Sequence, residues 1–335
     1  MAQYDDIYIR SNFDDKGEIP TSGTLCHSPD IIPNGQKPLA DPNTLISDEN
    51  WDKEMGKNLI ANAHNYIYVR GMNLANKAEN GDVYLYYSKA SLLLYPSQWK
   101  NNQLKTDDGS GKCNVSAKAI GSRVVTDNPF TWEPEYITGD HYCMVARVST
   151  KDNPNKIPDT GDIQDFSKFI CNNPGFGWRN VSVVNADSPT FTQTIEYEQG
   201  TIKAPMKFCI ECTNVPVGAE VAFSCATPGP QPVINLDKTT VTNSESFIVG
   251  MSSNVPKNFK SNISYSYWSN GKKPLKGFKI RLYAIYLVAT DNELYDFAMD
   301  HPTFSVALNS EDEFNRAIGP TKAIIVGAHE SVNAE

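Results

Sequence analysis

Apolar positions along this chain recur mostly with a period of two, the spacing of strands half-buried in a sheet. Residues 66–74 are rich in aromatic and β-branched side chains and predict a strand. A polar turn is expected over 76–81. Val83, Leu85 and Tyr87 then alternate with Tyr84 and Tyr86, which predicts a strand covered at least partly on both faces. Further strands are expected over 5–10, near 115–125, over 142–148 and over 178–184. Phe130, Trp132 and Pro134 stand just ahead of the 142–148 strand. Trp132 is expected to fill a sandwich core, and Pro134 to stop a strand at an edge. Residues 11–58 carry Gly, Pro, Asn and Asp throughout and read as a long irregular excursion, with one short helical turn starting in 47–52. Over 162–172, Ile163, Phe166 and Ile170 fall at helical spacing, the best helix signal of the first half.

After Asn185-Ala186-Asp187-Ser188-Pro189, a natural boundary, a second set of strands is expected over 191–198, 206–212, 220–225, 239–251 and 263–268. The strongest spans 278–289. Phe278, Ile280, Leu282, Ala284, Tyr286 and Val288 line one face. The other face starts with Lys279 and Arg281 and turns apolar at Tyr283, Ile285 and Leu287. Such a strand enters its sheet at an exposed end and finishes in the centre. Ser310-Glu311-Asp312-Glu313 has the form of a capping box opening a short helix to Ile318, and 321–327 predicts a last strand. No repeat of fixed period is visible.

Length and composition sharpen this reading. At 335 residues the chain is long for one core. With 21 Gly and 21 Pro, turns should be many and helices few, which favours an all-β class. The expectation is two immunoglobulin-like β-sandwich domains, 1–186 and 187–335, with a few short peripheral helices. The amino-terminal stretch has no basic and apolar leader pattern, and no apolar run reaches membrane-spanning length. Synthesis in the cytoplasm is expected, with release by lysis or a signal-independent route as options.

Two segments bear a resemblance to a known family. The first is Ile67-Tyr68-Val69-Arg70, then Asn73, then Gly81-Asp82-Val83-Tyr84-Leu85-Tyr86-Tyr87. The second is Phe130-Thr131-Trp132-Glu133-Pro134 with Gly139-Asp140-His141-Tyr142-Cys143-Met144-Val145-Ala146-Arg147-Val148. A weaker third part is Asn172-Asn173 with Arg179-Asn180-Val181. Together they resemble bacterial immunoglobulin-like domains of the cell-adhesion-related (CARDB-type) kind. The resemblance covers about residues 65–184. It implies a β-sandwich that binds rather than catalyses, and it brings no catalytic residues with it. The 11–58 excursion departs from the family pattern.

Side chains with reactive chemistry are scattered. Seven cysteines stand at irregular spacing, and only Cys209-Ile210-Glu211-Cys212 has the spacing of a redox or zinc pair. In a strand, positions three apart face opposite sides, so buried free thiols are the plainer reading. His27, His64, His141, His301 and His329 include no pair at metal-ligand spacing, and no Gly-x-Ser-x-Gly, His-Glu-x-x-His or phosphate loop occurs. Asp14, Asp15 and Glu18 around Gly17 form either a solvated acidic turn or a cation site. No cofactor and no enzymatic activity are expected.

Charge is more informative. From 247 to 290 there is no acidic residue, while Lys257, Lys260, Lys272, Lys273, Lys276, Lys279 and Arg281 give +7. The whole chain carries −9, which leaves −16 on the rest. Ser269-Asn270-Gly271-Lys272 is a type I′ turn signal and predicts a basic, aromatic hairpin. The candidate binding residues are Tyr265, Tyr267, Trp268, Lys272, Lys273 and Lys276. Four uses are open: an edge hairpin guarded by lysines, self-association with the acidic part of another copy, binding of an anionic glycan or membrane surface, or insertion as a pore-forming hairpin. The leading reading is a non-enzymatic binding or assembly protein that forms homo-oligomers or adheres. The alternative is an exported toxin or β-pore former. An acidic total with no binding motif argues against a specific nucleic-acid partner.

Overall fold

The computed structural model describes the whole chain except residues 1, 22–24, 26, 58, 61, 90, 136–141, 181, 185–188, 227–233, 289–302, 307–321 and 334–335. His141, His301, Cys26 and the 310–318 helix expected from the sequence lie outside the described residues.

The all-β expectation holds. In the first half the strands are β1 (Ala2–Gln3), β2 (Ile7–Tyr8), β3 (Glu18–Ile19), β4 (Ile31–Pro33), β5 (Asn65–Asn73), β6 (Glu79–Lys89), β7 (Cys113–Ala117), β8 (Arg123–Val125), β9 (Phe130–Trp132), β10 (Tyr142–Thr150) and β11 (Phe176–Asn180). Helices are short: a 3₁₀ turn over Pro42–Ile46, α1 (Pro96–Trp99) and α2 (Ile163–Asn172). The α2 helix starts where its sequence says. The Asp162 side chain accepts from the backbone N–H groups of Gln164 and Asp165, an N-cap.

Strands β5 and β6 follow one another but belong to facing sheets. The central strand β5 carries β2, β4, β8 and β9, all antiparallel. Strand β6 lies between β7 and β10, and β11 closes that sheet. Between the sheets sit Ile67, Val69, Val83, Leu85, Val115, Phe130, Met144, Ala146 and Val148, all buried. Their alternation along each strand is the period read from the sequence. Trp132 does not fill this core. It ends the short strand β9 and is half-buried against Tyr87 and Tyr142, each ring 4.7 Å from its own. The fully buried tryptophan is Trp99, in α1, packed on Trp178 at 5.6 Å and Tyr86 at 5.2 Å.

The second half adds β12 (Ser182–Val184), β13 (Thr190–Glu198), β14 (Ala204–Thr213), β15 (Glu220–Cys225), β16 (Asn235–Thr240), β17 (Ser246–Val255), β18 (Lys260–Trp268), β19 (Lys279–Val288), β20 (Thr303–Val306) and β21 (Lys322–Asn333). They form a four-stranded sheet in the order β13-β18-β15-β16 and a six-stranded sheet in the order β12-β21-β19-β14-β17-β20. Phe208, Ile210 and Cys212 of β14 meet Tyr197, Tyr265, Tyr267 and Val221 in one buried cluster. As its pattern predicts, β19 runs from half-buried Lys279 and Arg281 to buried Tyr283, Ile285 and Leu287.

That cluster does not stop at the expected boundary. It continues through Leu92, Leu93, Leu94, Tyr95, Trp99, Phe166 and Trp178 of the first half. Hydrogen bonds stitch the same seam: Leu92 N–H to the Glu196 carbonyl at 2.8 Å, Thr201 N–H to the Gly161 carbonyl at 2.8 Å and the Tyr95 hydroxyl to the Gln199 carbonyl at 2.7 Å. Strand β12, expected to close the first half, instead pairs in parallel with β21 of the second.

Candidate functional site

The basic segment expected as a hairpin is a corner between sheets. Asn270 and Gly271 have φ of 49° and 77°, and the Lys272 N–H donates to the Ser269 carbonyl at 3.0 Å, as the Asn-Gly signal requires. The flanking strands then part. Strand β18 pairs with β13 and β15, whereas β19 pairs with β14 and β21. A second turn follows, in which the Phe278 N–H donates to the Leu275 carbonyl at 3.1 Å and Gly277 has φ of 75°. The two turns hold Lys272, Lys273, Leu275 and Lys276 out at one end of the second sandwich, all exposed.

A neighbouring loop shares that end. Between β14 and β15 the Ala219 N–H donates to the Pro216 carbonyl at 3.1 Å, and Gly218 has φ of 88°. This is the geometry of a type II turn, with Val217 at its outer corner. The loops are tied side by side: Asn270 Nδ2 donates to the Gly218 carbonyl at 3.1 Å, and Asn214 Nδ2 to the Gly277 carbonyl at 3.2 Å. Val217 is 52% exposed and Leu275 42% exposed. Neither was among the residues picked from sequence. A signal was present: each is an apolar residue between a proline and a glycine, Pro216-Val217-Gly218 and Pro274-Leu275-Lys276-Gly277, where a turn leaves a side chain no core to enter.

Of the six residues picked from sequence, the structure brings together Lys272, Lys273 and Lys276. Tyr265 and Tyr267 must be withdrawn as contact residues, because both are fully buried. They share the inner face of β18 with Ile263, and the Tyr267 ring packs on Phe278 at 5.2 Å. Trp268 faces outward and is half-buried, but Lys238 Nζ already lies 4.3 Å over its ring, and Lys238 pairs with Glu220 at 3.2 Å. Trp268 therefore stands at the rim of the loop end and is not part of it.

The seven bases do not form one patch. Lys257 and Lys260 sit at the opposite end of β18, where Lys260 pairs with Glu198 at 2.8 Å. Arg281 pairs with Glu211 at 3.3 Å. Among the described residues, Lys272, Lys273 and Lys276 have no carboxylate partner.

Other polar clusters are structural in geometry. The Asp15 carboxylate accepts from the Ser11 and Gly17 N–H groups at 2.8 Å each, so its oxygens are taken by backbone, and burial pushes its carboxyl above the usual range. His64 lies between Asp107 at 3.0 Å and Glu133 at 3.2 Å. Among the described residues, no three His, Cys, Asp or Glu side chains gather as a metal site. Cys209 and Cys212 are free and buried, and burial pushes the Cys209 thiol up to about 12. No helix among the described residues is long and apolar enough to cross a membrane.

No family model matches this chain, and no curated protein matches it. Solved structures with some likeness include the calcium-binding domain CBD12 of CALX1.1, at TM-score 0.19 and 7% identity, covering 79% of this chain and 92% of that one. CBD12 from CALX1.2 follows at TM-score 0.18 and 8% identity, over 80% of this chain and 93% of that one. The CupB6 tip adhesin from Pseudomonas aeruginosa has TM-score 0.19 and 8% identity, over 81% and 89%.

Proposed function

We propose that this is a non-enzymatic binding protein that adheres to polyanionic surfaces through the loop end of its second sandwich. The observation that carries the reading is the set of three exposed lysines, Lys272, Lys273 and Lys276, held on two turns with no acidic partner among the described residues. Lys260, Arg281, Lys112 and Lys100, by contrast, each pair with a carboxylate. Unpaired cations on a rigid corner keep their full charge for a partner, and an acidic remainder orients the molecule with that corner forward. The adhesion-type domains that the first-half motifs resemble are in keeping with such a role.

The test is retention of the full chain on immobilised heparin, a sulfated polymer. The unmodified protein is expected to elute at higher salt than the variant Lys272→Glu/Lys273→Glu/Lys276→Glu. Equal elution of the two would remove the loop end as the binding site. A second reading, self-association, is favoured by one observation: the corner carries +3 while the rest of the chain is −12, since the total is −9. It calls for a salt-sensitive oligomer in light scattering that the same three substitutions dissolve.

A further inference from the structure

We propose that the polyanionic surface is a lipid bilayer with anionic headgroups, and that Val217 and Leu275 enter it while the three lysines lie on it. This rests on the reading of the loop end just given and adds the class of partner. A sulfated glycan is held mainly through its anionic groups and gives exposed aliphatic side chains little to bury in, yet the loop end displays two. Val217 stands at the corner of the Pro216–Ala219 turn and Leu275 at the start of the Leu275–Phe278 turn, 52% and 42% exposed. Asn270 and Asn214 tie the two loops together, so both side chains belong to one surface with Lys272, Lys273 and Lys276. Glu220, the nearest acid in sequence to Val217, is held by Asn270 at 2.9 Å and by Lys238 at 3.2 Å.

Each half of this arrangement needs the other. Three lysines near an anionic leaflet attract it, though salt screens them strongly. Two aliphatic side chains alone give only weak, reversible insertion. Apolar tips ringed by cations satisfy both conditions, since the aliphatic groups reach the acyl boundary and the ammonium groups stay at headgroup depth. The lysines and their turns supply charge complementarity, and the exposed Val217 and Leu275 supply the contact that distinguishes a bilayer from a soluble polymer. The loops need no refolding, because hydrogen bonds within and between them already fix the turns.

The experiment is co-sedimentation of the full chain with phosphatidylcholine vesicles, with and without phosphatidylserine, beside heparin retention. The unmodified chain is expected to bind only the phosphatidylserine vesicles. Val217→Ser/Leu275→Ser should weaken vesicle binding by about tenfold or more, the scale set by losing burial of an aliphatic side chain, and leave heparin elution unchanged. Loss of heparin retention together with vesicle binding in the lysine variant supports the shared site. Because a double variant can fail for want of folding, Leu275→Trp gives a second readout, a blue-shifted emission quenched by brominated lipid. Vesicle binding unaffected by Val217→Ser/Leu275→Ser, or emission of the Leu275→Trp variant untouched by brominated lipid, would overturn the bilayer assignment while leaving the polyanion reading in place. Retention on neither heparin nor vesicles would remove both.

Discussion

Removing the Asp30 carboxylate should loosen the whole 28–54 segment. Asp30 is fully buried, and its oxygens accept from the Arg10 N–H at 2.8 Å, Arg10 Nη2 at 2.7 Å and Arg70 Nε at 2.9 Å. The two guanidiniums, themselves buried, use their other donors on the excursion's carbonyls. Arg70 Nη1 reaches Leu45 at 2.7 Å and Asn50 at 3.0 Å, Arg70 Nη2 reaches Pro29 at 3.2 Å and Lys53 at 3.3 Å, and Arg10 Nη2 reaches Trp51 at 2.9 Å. The Trp51 ring covers the Arg10 guanidinium at 3.7 Å. In Asp30→Ala two buried cations lose their shared anion. Among the described residues, the other carboxylate pairing with either is that of Asp52, which is exposed and 3.3 Å from Arg10. Breaking one buried pair costs about 3–5 kcal/mol. The two pairs share one acid and are not additive, so about 4–6 kcal/mol is expected for both together. Urea unfolding with tryptophan emission measures the loss, and limited proteolysis shows where it falls, with new cleavage expected within 34–58. Asp52→Ala, which breaks only the exposed contact, should cost under about 1 kcal/mol. An Asp30→Ala protein within about 1 kcal/mol of the unmodified chain, and uncut in that segment, would refute the idea that the arginine pair holds the excursion.

Gly200→Ala should separate the halves, because Gly200 has φ of 86° and an added Cβ would lie 2.1 Å from the Gly161 carbonyl oxygen. A loss of about 2–4 kcal/mol is expected in thermal or urea unfolding, and a neutral result would mean that the 161–201 contact is not part of the seam. Among the six described cysteines, thiol labelling at pH 8 should find Cys225 first, since it is half-buried while Cys113, Cys143, Cys171, Cys209 and Cys212 are buried. Burial pushes the Cys113, Cys171 and Cys209 thiols up to about 12, so they hold little thiolate at that pH. Peptide mapping that finds Cys209 or Cys212 labelled as fast as Cys225 in the folded chain would contradict that burial.

Strand identity was legible because burial on one face imposes a period of two, and nearly every expected strand carries it. Sheet membership was not. The turn signal at Asn270-Gly271 fixes two φ angles but says nothing about which strands hydrogen-bond beyond it, and here β18 and β19 part. Tyr265 and Tyr267 could have been set aside from sequence alone, as their face also carries Ile263, whereas Lys272, Lys273 and Lys276 follow the turn and had nowhere to be buried. The segment Ser91-Leu92-Leu93-Leu94-Tyr95 has no period of two or 3.6, and it proved to be the plug that joins the two halves. The 11–58 excursion reads as irregular because its strands β3 and β4 are only two and three residues long, and much of its remaining order comes from side-chain donors of Arg10 and Arg70 to its carbonyls. Trp132, expected to fill the core, is only half-buried because it ends a short strand, whereas the fully buried tryptophan is Trp99 of the short helix α1.

The central claim is that Lys272, Lys273 and Lys276 form the binding surface. Its most direct measurement is the slope of log Kd against log salt for heparin, in the unmodified chain and in Lys272→Gln/Lys273→Gln/Lys276→Gln. Counterion release by lysines at the surface makes affinity fall steeply with salt, and removing them flattens the slope. The expected result is a steep slope that nearly vanishes in the glutamine variant. The same slope and the same affinity in both proteins would contradict it.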